Sequence, residues 1–404
     1  MVPLADETEN ATAAALAGLR VVACEHAVAA PLATRHLADL GASVVKVERL
    51  GTGDFARHYD HAVRGQSSHF VWLNRSKRSL SLDLKSAEGR SILGLLLDRA
   101  DVFVQNLGPG TASRLGLGAD SLSRRHPRLV ACEISGYGSP GPWAKRKAYD
   151  LLVQAEAGLI GITGSAHEPA KAGIPVADIA AGMYALSGIL AALYQRERTG
   201  RGAVIQVSLL DSLAEWMGYP FYYARYGGSP PARAGASHGA IAPYGPFRTS
   251  DGHDLVLAVQ NDAEWQALCR QVIGRPDMAA DPTFATNALR IANRGAVDES
   301  VAGAVARLTE REAARRCDAA RIAYGHMGEV GALDRNPQLA ARQRWAEVGS
   351  PAGPIVSLMP PWVIAGSAPV LGPVPAVGEH SDLILHELGY RTDQIAELRK
   401  QEII

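Results

Sequence analysis

The feature that most limits what this chain can become is a change of period, made twice between residues 19 and 48. LRVVAC is an apolar run of strand length. PLATRHLADLG then repeats its apolar residues at helical spacing, with Pro31 in the first turn and Gly41 past the end, and SVVKVE returns to a strand. Strand, helix and strand in so short a span make a βαβ unit, in which the strands run parallel and the helix covers one face of the sheet. The alternation continues with a helix near 86 to 99 (SAEGRSILGLLLDR), a strand DVFVQN at 101 to 106 and a strand LVACEIS at 129 to 135. The expected class is therefore α/β, built on a mostly parallel sheet. Such sheets bind ligands outside the carboxyl ends of their strands, so the informative loops follow Ala23, Val47, Val104 and Ile134.

At 404 residues the chain exceeds what one hydrophobic core usually serves, so a second domain is expected. Helical patterns cover about 150 to 161 and 178 to 199, and GRGAVIQVSLLDSLAEWM gives a strand at 203 to 208 leading into a helix. Composition changes at GGSPPARAGASHG. YGPFRTSDGHDLVLAV then reads as a hairpin turning at Asp251-Gly252, ahead of a helix-rich stretch. These breaks divide the chain into a large α/β domain over 1–225, a linker or active loop over 226–239, a smaller α+β domain over 240–330 and a connector over 331–375, Pro-rich from 350. The tail, 376–404, contains an amphipathic helical pattern and is expected to pack back on the large domain.

Charge and cysteine content exclude several roles. Lys plus Arg and Asp plus Glu both number 41, so no net field draws the chain to nucleic acid or to anionic lipid, and neither is expected as a partner. Cys24, Cys132, Cys269 and Cys317 are widely spaced with no CxxC, which argues against a zinc site or a secreted disulfide framework. No metal is expected. The start, MVPLADETENATAAA, is acidic and lacks the basic beginning and apolar core of an export signal, so a cytoplasmic enzyme is expected. The uncharged run IAAGMYALSGILAALY, 179 to 194, falls short of the roughly 20 residues a bilayer requires and reads as a buried central helix.

Motif absences narrow the chemistry further. There is no GxxxxGK[ST] and no HExxH, and GPGTAS at 108 to 113 lacks the third glycine of a dinucleotide fingerprint. What remains is a scatter of bases after the strands: Arg49, Lys77 and Arg78, Arg114, and Lys145 to Lys147. Singly each reads as a solvated charge; together they stand where an α/β sheet holds a phosphorylated ligand. The other notable residue is Asp178, alone among small apolar residues in AGIPVADIAAG. One reading makes it the N-cap of a helix beginning near Ile179. The other makes it a covalent nucleophile, kept ionised by the helix dipole and given space by Ala177, Ala180, Ala181 and Gly182. The two are compatible.

Taken together, HAVAAPLATRHLADLGASVVKVERLGTGD, NRSKRSLSLDLKSAEG, VQNLGPGTASRLGL, ISGYGSPGP, PVADIAAGMYALSGILAALYQRERTGRG and VGEHSDLILHELGY resemble the class III coenzyme A transferases. That family includes formyl-CoA and carnitine CoA-transferases and the related 2-methylacyl-CoA racemases, and the resemblance runs from about residue 17 to 395. It implies a Rossmann-like large domain, a smaller α+β domain and an interlocked homodimer. It also implies coenzyme A esters and carboxylic acids as substrates, with no permanently bound cofactor.

The acid of the family's PVADxxAG motif attacks the thioester, which by resemblance places the nucleophile on Asp178 and implies an aspartyl-CoA thioester. The CoA contacts implied are Val28, Ala29, Arg49, Leu82 to Lys85, Asn106, Leu107, Arg114, and Lys147 to Tyr149. Many relatives carry Gln where this chain has Val28, so a polar contact there is lost or replaced. Racemases use the His of a GHD motif as a second base; this chain reads AYD, with Tyr149 in that position and Asp150 after it. A phenol, with an ordinary pKa of about 10, accepts protons poorly at neutral pH, which favours transfer over racemisation. In place of a glycine run the active loop has AGASHGAIAPYGPF, with Gly235, His238 and Gly239. Its wording is closer to transferases of C4 and C5 dicarboxylates such as succinate, mesaconate, itaconate or glutarate. His238 reads either as a loop residue contacting backbone or as a contact for a second substrate carboxylate. A racemase-type isomerase and a non-catalytic CoA-binding protein are the alternative readings.

Overall fold

A computed structural model describes residues 14–404, so the acidic start read for an export signal lies, up to residue 13, outside the described residues. The chain forms two compact units. The first runs to Ala157 and resumes over Gly173–Trp216 and Gln338–Ile404; the second takes Gly158–Ala172 and Met217–Pro337.

The first unit is built on a six-stranded sheet in the order β3-β2-β1-β4-β5-β6. Its strands are β1 (Arg20–Cys24), β2 (Ser43–Glu48), β3 (Lys77–Ser81), β4 (Val102–Gln105), β5 (Val130–Ser135) and β6 (Val204–Ser208). Every pairing is parallel. The strand order reverses between β1 and β4, which opens a crevice at their carboxyl ends. Around the sheet lie α1 (Ala29–Asp39), α2 (Ser68–Asn74), α3 (Ala87–Leu97), the short α4 (Thr111–Arg114), α5 (Ala119–Arg125) and α6 (Asp150–Glu156). After α7 (Leu159–Ile162), which belongs to the second unit, come α8 (Val176–Thr199) and α9 (Leu209–Trp216).

One face of the sheet packs on α3, where Ile92, Leu93, Leu96 and Leu97 meet Val22, Val45 and Leu80 in one apolar core. On the other face α1 is buried along its whole length and lies against α8. A methyl group added at Gly182 of α8 would stand 2.6 Å from the Ala29 carbonyl oxygen, so small residues let these two helices meet backbone to backbone. α8 has 24 residues and is long and apolar enough to cross a bilayer. Ala180, Ala181, Ala185 and Ile189 are buried within the unit, as the sequence reading expects of a central helix.

The second unit holds α10 (Gly218–Gly227), a three-stranded antiparallel sheet and a helical array. Its strands are β7 (Tyr244–Arg248), β8 (Asp254–Ala258) and β9 (Ala323–His326), and β7 and β8 form the hairpin expected at Asp251-Gly252. The helices are α11 (Asp262–Ala267), α12 (Pro276–Ala280), α13 (Asn287–Ala292), α14 (Arg294–Val305) and α15 (Glu310–Ala320). Trp265, Leu268, Val297, Val301 and Cys317 are fully buried in a core separate from that of the sheet.

Four expectations need adjustment. The expected boundary at 225 falls inside α10, because the division comes earlier, between Trp216 and Met217. The 331–375 connector has structure of its own: after α16 (Pro337–Ala341), β10 (Trp345–Val348) and β11 (Ile355–Leu358) form an antiparallel hairpin in the first unit, with Val348, Ile355 and Val374 packed on Phe70. The tail is two helices, α17 (Ser381–Leu388) and α18 (Thr392–Lys400), separated at Gly389, whose φ of 100° ends the first. Helix 150–161 is likewise broken at Gly158, where φ is 84°. All four cysteines are free and buried.

Candidate active site at the carboxyl edge of the sheet

Loops leaving β1, β2, β3, β4 and β5 share one edge of the parallel sheet, and the loop after β1 is held from below by buried charge. Lys77 Nζ donates to Glu25 Oε1 at 2.7 Å and to Asn74 Oδ1 at 3.0 Å. Lys46 Nζ donates to Asp54 Oδ2 at 2.9 Å and lies 3.4 Å from Glu25. Burial alone would raise the Glu25 carboxyl; Lys77 and Lys46 reverse that and hold it below its usual value. Burial drives Lys77 down to about 8 against the pull of Glu25. Asp54 Oδ1 accepts from the Ala27 amide, and Asn106 both accepts from the His26 amide and donates to the His26 carbonyl. These bonds fix Ala27 at a φ of 60°, a left-handed conformation that costs a non-glycine residue about 1–2 kcal/mol. Asn106 thereby ties together the loops on either side of the β1/β4 crevice.

The CoA contacts expected from the sequence divide into two kinds. Arg49 after β2, Lys85 after β3 and Lys147 after β5 are exposed and pair with no acid among the described residues; Arg114 is also exposed and donates to Thr111 Oγ1. Tyr149 is exposed at the N-terminus of α6. Asn106 is engaged with the His26 backbone, and the remainder are packing residues. Val28 is buried with Leu32 and Leu73 against Ile179, and Ala29 is buried at the start of α1. Leu82 lies in the core with its amide bonded to the Glu48 carbonyl, and Leu107 packs on the same core with its amide on Gln105 Oε1. Lys77 and Arg78, read as possible phosphate contacts, are committed elsewhere: Lys77 to Glu25 inside the protein and Arg78 to both oxygens of Glu387. Sequence reasoning could not see that Lys77 points inward, because the acid that pairs with it lies two strands away.

Asp178 stands in the first turn of α8, one turn before Gly182 and beside Ile179, which packs on Val28. It is not the helix cap. α8 starts earlier than expected, at Val176, and the residue before it is Pro175, which has no side-chain acceptor. Asp150 of α6 takes that role from another element, its Oδ1 accepting from the amides of Ala177 at 2.8 Å and Asp178 at 3.3 Å while its Oδ2 accepts from Gln154. The Val176 and Ile179 amides are bonded to Ile174 and Pro175. The dipole-based expectation of a firmly ionised Asp178 is corrected accordingly: burial, and then the charge of Asp150, push its carboxyl up from 3.8 to about 7. Neither Asp178 side-chain oxygen accepts a hydrogen bond among the described residues. Tyr59, missed in the sequence, lies in the same field; burial, Asp54 and Asp178 push its phenol up to about 12 and keep it protonated.

The loop residues lie in the second unit. Gly235 has a φ of 61° and donates its amide to the Gly164 carbonyl. His238 stacks on Tyr244 with ring centroids 5.2 Å apart, and its Nδ1 accepts from the Ala240 amide at 3.1 Å. Gly239 follows it, where an added methyl would be 3.5 Å from the Ala232 carbonyl oxygen. Backbone contact, one of the two readings of His238, is present.

The arrangement offers an uncommitted acid at the ligand edge of a parallel sheet, with exposed cations along that edge. Comparison with known proteins bears on the family. The sequence profile of CoA-transferase family III matches residues 16–381. The chain is 33% identical to a succinate–glutarate CoA-transferase of Agrobacterium fabrum, over 92% of this chain and 95% of that protein. It is 36% identical to an acetyl-CoA:oxalate CoA-transferase of Acetobacter aceti, over 84% and 88%. A succinyl-CoA:mesaconate CoA-transferase of Haloarcula hispanica is 37% identical over 71% and 74%. Among solved structures, a CAIB/BAIF family protein from Brucella suis matches with a TM-score of 0.80 at 32% identity, over 92% of this chain and 99% of that one.

Proposed function

Because the chain belongs to the family III CoA-transferases, enzymes that act on CoA thioesters, we propose that Asp178 is its nucleophile and that a dicarboxylyl-CoA, with succinyl-CoA as the leading case, is its donor. The observation that carries this reading is the Asp178 carboxyl itself: both oxygens uncommitted, its charge disfavoured by burial, and its helix turn packed on the loop after β1.

An Asp178 oxygen attacks the donor thioester carbonyl; the C–S bond breaks, leaving a mixed anhydride and CoA thiolate. The thiolate attacks the Asp178 carbonyl of that anhydride, releasing the donor acid as its carboxylate and leaving an aspartyl-CoA thioester. An acceptor carboxylate attacks this thioester and expels the thiolate, which then takes the acceptor acyl group and frees Asp178. Burial contributes by stripping water from a carboxylate that is a weak nucleophile when hydrated. Since the first amides of α8 are already bonded, stabilisation of the developing oxyanions falls to other donors, and the protonated Tyr59 hydroxyl, in the field of Asp178, is proposed as one of them. Arg49, Lys85, Arg114 and Lys147 are the cations proposed to meet the phosphates of CoA.

The dicarboxylate preference is supported by the names of the relatives, which pair succinate with glutarate, acetyl-CoA with oxalate, and succinyl-CoA with mesaconate. A cytosolic homodimer completes the proposal; the exposed aromatic side chains of Phe221, Tyr222 and Tyr226 on α10 support burial against a second copy.

The decisive experiment incubates the enzyme with succinyl-CoA and then hydroxylamine, and locates the hydroxamate by peptide mass spectrometry. Modification of Asp178 supports the reading, and a label on another residue or on none removes it.

A further inference from the structure

We propose that Asp150 is a positioning residue for the nucleophile: it occupies the two amide donors nearest Asp178 and holds a second negative charge beside it. This inference rests on Asp178 being the acylated residue.

A carboxylate in the first turn of a helix would ordinarily gain from the free amides there, and such bonds favour its charged form. In this chain those amides are spent on Asp150, at 2.8 Å to Ala177 and 3.3 Å to Asp178. The arrangement crosses between elements. Asp150 opens α6, is steadied there by Gln154 Nε2 at 2.7 Å, and reaches over to α8, where Pro175 can offer no cap.

Among the described residues neither Asp150 nor Asp178 forms an ion pair, and the nearest base in sequence, Lys147, is exposed three residues before Asp150. α6 presents Asp150 and Glu156, the latter paired with Arg146. α9 carries Asp211 and Glu215. Val28, just before α1, and Leu32 on it pack with Ile179, while Arg35 and Asp39 of α1 are bonded to each other and its His36 packs on Trp362. The Tyr59 hydroxyl feels the charge of Asp178 together with that of Asp54. The raised proton affinity of Asp178 follows from burial first and from Asp150 second.

The chemical consequence lies in the difference between the resting and acylated states. When Asp178 attacks the thioester carbonyl and the C–S bond breaks, the negative charge leaves with CoA thiolate and Asp178 becomes neutral. The repulsion from Asp150 exists before this step and is gone after it. A more basic carboxylate is also the better nucleophile once ionised.

Asp150→Asn separates this role from mere capping, since an amide oxygen can still accept from the two backbone N–H groups while the charge is removed. The measurement is the pH profile of kcat/KM with succinyl-CoA and glutarate, alongside melting temperature and the hydroxylamine label. The expected result is an acid limb whose midpoint moves down by about one pH unit, with the label still on Asp178. An unmoved limb in a folded, labelled variant overturns the proposal and leaves the nucleophile assignment standing. A label absent from Asp178 in the parent enzyme removes the nucleophile assignment instead. Asp150→Ser provides a second neutral cap, and failure of both variants to fold would also overturn the proposal, because Asp150 would then be a structural cap alone.

Discussion

Asp178 binds its proton more tightly in the folded protein than in the unfolded chain, and two opposite effects of removing it follow. Its folded pKa of about 7 lies above the ordinary 3.8, so ionisation works against the fold. That cost is absent below about pH 4, grows between the two values and is complete above about pH 7. Asp178→Asn should therefore melt higher than the parent at pH 8, with the difference shrinking towards zero at pH 4, while transfer falls by at least about a thousandfold. A melting difference independent of pH would contradict the raised proton affinity. Arg49 has the complementary character: exposed and unpaired with any acid among the described residues. Arg49→Ala should raise KM for CoA esters about tenfold with kcat nearly unchanged, which initial-rate measurements can check.

Helix and strand boundaries depend on contacts of a different kind. Gly182 allows α8 to approach the Ala29 carbonyl oxygen within the space a methyl group would need, and backbone cannot turn aside as a flexible side chain can. Gly182→Ala should cost about 1–3 kcal/mol, measured by denaturant melts, and should lower activity by displacing the turn that carries Asp178. The strands β1, β2, β4 and β5 were legible in the sequence because they are apolar runs, and β6 because it is an apolar-rich stretch between turn signals. β3 was not. Its sequence, KRSLS, looks like surface, yet Lys77, Ser79 and Ser81 are buried by pairing with Glu25, Glu48 and Ser381, which come from other parts of the chain. The same limit applies to the site. Asp178 stood out as a lone acid among alanines, whereas Asp150 could be connected to it only through the packing of α6 on α8, and Tyr59 only through the fold of the segment after β2.

The molecule as a whole is assembled from chain segments far apart in sequence. Ile384, Leu385, Ile395, Leu398 and Ile403 from the last part of the chain are buried in the same core as the sheet and α3. At about 1.5–3 kcal/mol for each such side chain, their loss amounts to something on the order of 10 kcal/mol, comparable with the whole stability of a typical domain. Ending the chain before Ser381 should therefore give insoluble or molten protein, seen as loss of a cooperative melt, and a well-folded truncated enzyme would refute the shared core. The buried cysteines carry a separate implication. Burial pushes the thiols of Cys24, Cys132 and Cys269 up to about 12 and that of Cys317 to about 11, which leaves almost no sulfur anion at working pH. An enzyme that handles activated acyl groups and free CoA thus contains no rival sulfur to capture the cargo or to form a mixed disulfide with the carrier. Alkylating reagents should spare it, and oxidised CoA should have nothing on it to exchange with.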